Sequence, residues 1–199
     1  MGKRVRLKRN IGPLVQLLAR GIDGYAFDFY VVSAAPEEVV HSALEGLIPR
    51  SRIVGTRFGY DAQGGEDGEI DSIVQVAAGY GKVAALDALR AELGVPGERT
   101  VYVGDGTSDI HAMLHVNRIN GLTIAVSQTR HITQVARRTV LSDDALSVAV
   151  PILEEIAGYD SERVRALFDR AGFVIQEWDR ARTDWLTIGG LDQREVVSV

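Results

Sequence analysis

The stretch RTVYVG (99–104), running through Asp105-Gly106 into a helix-like segment near 107–116, constrains the fold more than any other. Its β-branched and aromatic residues favour a buried strand. Glycines on both sides of Asp105 let the backbone turn sharply and approach a ligand closely. Strands that turn into helices build a mainly parallel sheet, and such sheets bind ligands at the carboxyl ends of their strands.

The same alternation recurs along the chain. YAFDFYVV (25–32) reads as a buried strand, Ser33-Ala34-Ala35 as a turn, and 36–47 as a helix with Pro36 at its first position. IVGTRF (53–58) is a second strand, and the Gly-rich run 59–69 a polar loop or hairpin tip. A helix over 81–93 ends at Gly94 and Pro96. LTIAV (122–126) and RTVL (138–141) read as strands, with a short helix at 131–137 between them and helices over 145–157 and 160–171 after them. The predicted class is α/β, a Rossmann-like, mainly parallel sheet flanked by helices.

Composition narrows the function. A chain of 199 residues suits one domain, or one with a small appendage. It has no cysteine, hence no disulfide, thiolate metal site or thiol nucleophile. Glycine, at 21 residues, exceeds the usual share of about 7%. The net charge is −5 although residues 1–10 hold five basic side chains and no acid, so the body is acidic and no nucleic-acid partner is expected. No apolar run reaches the roughly 18 residues of a membrane span. The basic start and apolar 11–19 look like a short signal peptide, but Gly12, Pro13 and Gln16 interrupt the run and Arg20 follows. A cytoplasmic location is the expectation.

Three segments carry chemistry. Asp105 and Asp109, four residues apart at a strand's carboxyl end, suit Mg²⁺, which takes a few carboxylates, waters and substrate phosphate. The blander reading is a Gly-Asp-Gly turn with Asp109 as a helix cap. Ser33, ahead of a helix, offers a hydroxyl that with the Ala34 amide suits a phosphate, although capping is the commoner role. Lys82 opens an otherwise apolar helix against the helix dipole and needs a compensating partner; an anionic site is one such partner, and simple solvation is the alternative. Rival motifs fail. An EF-hand loop from Asp105 needs Gly at 110 and Glu at 116, where Ile110 and Val116 stand. A dinucleotide fingerprint needs Gly at 109, and a P-loop needs Gly at 76 and Ser or Thr at 83.

Taken in order, strand-terminal Ser33, the Gly-Lys at 81–82 and GDGTSDIHAM (104–113) resemble the haloacid dehalogenase superfamily, in particular its phosphoserine-phosphatase-like hydrolases. The resemblance covers about residues 10–157. It implies that Ser33 and Ala34 hold the phosphoryl group, and that Lys82 neutralises charge on nucleophile and phosphoryl oxygens. It implies that Asp105 ligates Mg²⁺, that Asp109 completes or orients the metal shell, and that the substrate is a small phosphate monoester. The resemblance also implies an Asp-x-Asp nucleophile motif on a strand lying between the Ser33 and Asp105 strands. None precedes Ser33: the earlier aspartates, Asp23 and Asp28, are five apart, and neither takes the nucleophile role. The family's helical cap is missing too.

The division expected is a basic N-terminal segment over 1–20 returning from a missing cap, a core over 21–157, and a C-terminal helix and tail over 158–199. Without the first strand, its two neighbours either close to about 4.8 Å or leave a gap that the N-terminal segment, the C-terminal segment or a second chain fills. Finding neither would mean that this placement of the motifs is wrong. Self-association or a partner chain at the open edge follows. A non-catalytic phosphate- or metal-binding remnant, or one part of a split protein, is the alternative to an impaired phosphohydrolase. A generic nucleotide-binding module ranks last. His111 and His115, one helical turn apart, are better read as a hydrogen-bonded pair behind the site than as metal ligands. Asp143 and Asp144 read as helix caps, and Trp178 and Trp185 as anchors of the tail.

Overall fold

The computed structural model of the chain describes residues 5–61 and 69–175. Their order is α1 (Ile11–Arg20), β1 (Val31–Pro36), α2 (Glu37–Ala43), β2 (Ile53–Tyr60), β3 (Ile70–Gln75), α3 (Tyr80–Leu93), β4 (Val101–Gly104), α4 (Ile110–Arg118), β5 (Leu122–Ala125), α5 (Arg130–Thr133), β6 (Arg138–Thr139), α6 (Ala149–Glu155) and α7 (Ser161–Arg170). The strands form two three-stranded sheets, β1-β2-β3 and β4-β5-β6. β1 and β2 are parallel, β3 returns antiparallel to β2, and the second sheet is parallel throughout. This is the α/β, helix-flanked architecture expected from the alternation.

The second sheet is covered on both faces. On one side Ile124 and Leu122 pack with Leu14 and Leu18 of α1, Ile152 and Leu153 of α6, and Val164 and Phe168 of α7. On the other, Tyr102 and Ala125 pack with Leu86 of α3 and Ala112, Met113 and Val116 of α4. Alternate residues of one strand therefore serve two cores, as the period of two requires. The first sheet has its own smaller core of Val40, Leu44, Ile48 and Ile53. Val15 and Phe29 pack onto that core, while Phe29 also joins the larger one beside Leu14 and Leu18 of α1. Helix α3 touches both α4 and β1. The two sheets thus lie side by side, bridged by α1 and Phe29 on one face and by α3 on the other. Among the described residues no backbone hydrogen bond joins β1 to β4, and no further strand pairs with either. Closure of β1 onto β4 is not seen among these residues, and the end of the C-terminal segment, one of the fillers expected, lies outside the described residues.

Several boundaries differ from the pattern-based reading. The first strand begins at Val31 rather than at Tyr25, and residues 26–30 carry no ladder. Phe27 and Phe29 still pack against the core, so their alternation reports burial, not pairing. Pro36 closes β1 instead of opening α2, which stops at Ala43. β2 runs on to Tyr60, and β3 falls just beyond the stretch read as loop. Its residues are nearly all exposed, so no alternation of burial marked it. The apolar run after the basic start is α1, an amphipathic helix that accepts Pro13 in its first turn, where the missing N–H costs nothing. The helix expected over 145–157 divides into a 3₁₀ turn (Ala145–Val148) and α6. Trp178 and Trp185 lie outside the described residues.

Leu153 is fully buried in the larger core. Leu153→Ala is expected to destabilise the chain by about 2–5 kcal/mol, read from urea unfolding.

Candidate functional site

The site is assembled by the turn after β4. Gly104 ends the strand, and a Cβ there would lie 2.7 Å from the Asp109 Cβ and Cγ atoms, so glycine alone admits the fold-back. The chain passes through a 3₁₀ turn (Thr107–Asp109), in which the Asp109 amide donates to the Gly106 carbonyl at 3.0 Å. Asp109 thereby returns beneath the end of β4, 3% exposed.

Lys82 arrives from α3. Gly79, at φ 53°, holds a positive-φ conformation that favours glycine ahead of this helix, and the Lys82 amide donates to its carbonyl at 3.2 Å. The side chain is inside: Lys82 is 6% exposed and its Nζ donates to Asp109 Oδ1 at 2.5 Å. The anion that a lysine at a helix start calls for is therefore Asp109, and solvation is excluded. Of the three Nζ donors, only this one has an acceptor among the described residues.

Asp109 is fully engaged. Its Oδ1 accepts from Lys82 and from the Tyr102 hydroxyl at 2.7 Å. Its Oδ2 accepts from the backbone N–H of Asp105 at 3.2 Å and of Gly106 at 3.1 Å. Burial by itself raises the Asp109 pKa, but hydrogen bonds from Lys82 and Tyr102, the Lys82 charge and the Gly106 N–H outweigh it and hold the carboxyl below the usual aspartate range. Burial, then the Asp109 charge and hydrogen bond and the Asp105 charge, push the Tyr102 hydroxyl upward, so it stays a proton donor. Pattern reading missed Tyr102. The available signal was a tyrosine in a strand otherwise built of valine, since a buried tyrosine hydroxyl seeks a polar partner.

A magnesium ion can be tested against these donors. A carboxylate offers about four acceptor positions, and all four on Asp109 are taken by protein donors. Asp109 therefore fits the orienting role and not that of a direct ligand. Asp105 is exposed, and its carboxylate makes no hydrogen bond among the described residues, so it is free to take a cation. No cluster of three histidine, cysteine or acidic side chains exists among those residues. One free carboxylate is within the range for Mg²⁺, which keeps several waters and shares substrate phosphate.

Ser33 is not hydrogen-bonded to this group among the described residues. It lies inside β1, where the four steps from Val32 to Pro36 stand opposite only two on β2, so 33–35 bulge out of the ladder. Its Oγ accepts from the Ala35 N–H at 3.2 Å, the local turn that competes with a ligand role. The exposed Ala34 is pinned through its carbonyl by Thr56 Oγ1 at 2.9 Å. No hydrogen bond links Ser33 or Ala34 to Lys82, Asp105 or Asp109.

The remaining candidates disperse. His115 bonds Asp87 at 2.8 Å and Arg118 at 3.1 Å, while the His111 ring lies 4.3 Å from that of Tyr80. Asp144 caps the turn at 145–148 through Leu146 N–H at 3.0 Å. Asp28 pairs with Arg52 and Asp23 with Arg163, both at the surface.

A strand–turn–helix unit of this α/β protein thus buries a lysine against one aspartate and leaves a second exposed four residues earlier. The family model for haloacid dehalogenase-like hydrolases matches residues 4–114, more than half of the chain, and the chain belongs to that family. No curated protein matches it. Among the described residues no helix is long and apolar enough to cross a membrane.

Because the folded Asp109 pKa is lowered, its contribution is complete above the ordinary aspartate value of about 3.9 and is lost as pH falls through the lower folded value. Asp109→Ala, which strands Lys82 in the interior, is expected to cost about 3–5 kcal/mol at pH 7. In urea unfolding at successive pH values, the gap between the two proteins should narrow below about pH 4.

Proposed function

We propose that this hydrolase-family chain carries the phosphate- and magnesium-handling half of a phosphohydrolase acting on a small phosphate monoester, phosphoserine-like by analogy. The observation that carries the reading is the buried Lys82–Asp109 pair next to the free Asp105 carboxylate. In this reading Lys82, fixed by Asp109, which Tyr102 in turn holds, presents its two remaining N–H donors to anionic oxygens. Preorganised donors of this kind stabilise developing charge without reorganising during reaction. The Ser33 hydroxyl proton and the Ala34 amide complete the phosphate cradle. Asp105 would hold Mg²⁺, which when bound supplies charge neutralisation on the phosphoryl oxygens.

Turnover by this chain alone is expected to be low. Asp23 and Asp28, the aspartates ahead of Ser33, are engaged in surface ion pairs with Arg163 and Arg52. Neither is offered as nucleophile. The unjoined edges of β1 and β4 favour a second reading, in which the chain is one part of a split protein or a binding remnant.

Calorimetric titration with Mg²⁺ in the presence of inorganic phosphate tests the site. Binding is expected in the native chain and at least about tenfold weaker in Asp105→Asn, with little hydrolysis of p-nitrophenyl phosphate by either. Equal binding by both proteins would remove Asp105 from the site. Vigorous Mg²⁺-dependent hydrolysis that Asp105→Asn abolishes would require a nucleophile elsewhere in the chain.

A further inference from the structure

We propose that Tyr80 and His111 form an aromatic ledge beside the Lys82–Asp109 pair, and that this ledge selects, among small phosphate monoesters, those whose alcohol part carries an aromatic ring. The proposal rests on the reading of that site as a phosphate binder and adds to it the character of the leaving group.

The first observation is where the two rings stand. Tyr80 opens α3 two residues ahead of Lys82, and His111 follows Asp109 by two at the start of α4. Their ring centroids lie 4.3 Å apart, with the planes tilted by 43°. The starts of the two helices are therefore joined twice, by an ion pair inside and by a ring pair at the surface. Gly79 seats its backbone against the same histidine, since a Cβ there would lie 4.0 Å from His111 Nδ1, an ordinary contact. Two residues advance a helix by only about 3 Å. The alcohol part of a phosphate ester held by Lys82 thus comes level with Tyr80.

The second observation is exposure without a structural use. Tyr80 is 76% exposed, more than any other large hydrophobic side chain among the described residues. It packs against none of the three cores. Neither its hydroxyl nor the exposed His111 ring makes a hydrogen bond among those residues. A tyrosine so placed contributes little to the fold, yet keeps a broad apolar face in water that a ligand can cover.

Ligand chemistry makes the choice. Aromatic rings pair best offset or edge to face, with centroids about 4.5–7 Å apart. Two rings meeting at an angle offer a face and an edge to a third ring, and an aliphatic alcohol uses neither geometry. An ammonium group would gain from the Tyr80 face. It is the lesser fit, because the neighbouring imidazole takes up positive charge itself.

The test compares phosphotyrosine, phosphoserine and inorganic phosphate as ligands of the full chain with Mg²⁺, by calorimetric titration. The two amino acids share their charged groups and differ chiefly in the ring. Phosphotyrosine is expected to bind about fivefold more tightly than phosphoserine. Tyr80→Ala should bring the two together without weakening inorganic phosphate, Tyr80→Phe should keep the preference, and His111→Ala should reduce it. Because Tyr80 belongs to no core, Tyr80→Ala should unfold at the same urea concentration as the native chain. The ledge is overturned if phosphoserine binds as tightly as phosphotyrosine, or if the preference survives Tyr80→Ala, while inorganic phosphate still binds; the phosphate reading of the site then stands. If none of the three ligands binds, that reading fails and the ledge falls with it.

Discussion

The ion pair between Lys82 and Asp109 ties the site together. It brings the start of α3 onto the turn after β4, in a setting where neither charge is tolerable without the other. Two charges taken out of water lose hydration worth several kcal/mol each, and their attraction offsets this only when geometry and further hydrogen bonds are good. Here Tyr102 and two backbone N–H groups provide those bonds to Asp109. The Gly104 turn follows from the same requirement, since Asp109 occupies the space of its missing side chain. Removing the lysine would undo the turn's purpose, and removing the turn would strand the lysine.

Much of this was legible in the residues. GDGTSD at the end of a valine-rich strand marked the turn and its two carboxylates. Lys82, set against the dipole of its helix, announced a hidden anion. What pattern could not supply was which anion. Asp105 and Asp109 are equivalent as letters, and only the fold-back at Gly104 makes one an internal partner and leaves the other exposed. Tyr102 was passed over because an aromatic side chain in a strand scores as core whether or not its hydroxyl is used.

The fold was less evenly readable. The parallel sheet around β4 and β5 declared itself because helices cover both its faces, and burial on two sides leaves a dense apolar signature. β3 did not, because a hairpin strand exposed on both faces carries no periodic mark; Ile70, Ile73 and Val74 all face solvent. Residues 25–30 misled in the opposite sense: their aromatic alternation is that of a strand, but a strand needs a neighbour with free hydrogen bonds. Ser33 is intermediate. Its place near the end of a strand was foreseen, while the bulge that turns its hydroxyl onto the Ala35 amide depends on the Thr56 contact from β2.

The seam between the sheets also bears on how the molecule comes apart. In a continuous sheet, hydrogen-bonded ladders transmit order from strand to strand and the domain melts as a unit. Here the first sheet, with its small core, is fastened to the rest by side-chain packing through α1, Phe29 and α3 and not by a shared ladder. Such a molecule has two cooperative blocks of unequal strength. The half bearing Ser33 can loosen while the half bearing Asp109 stays intact.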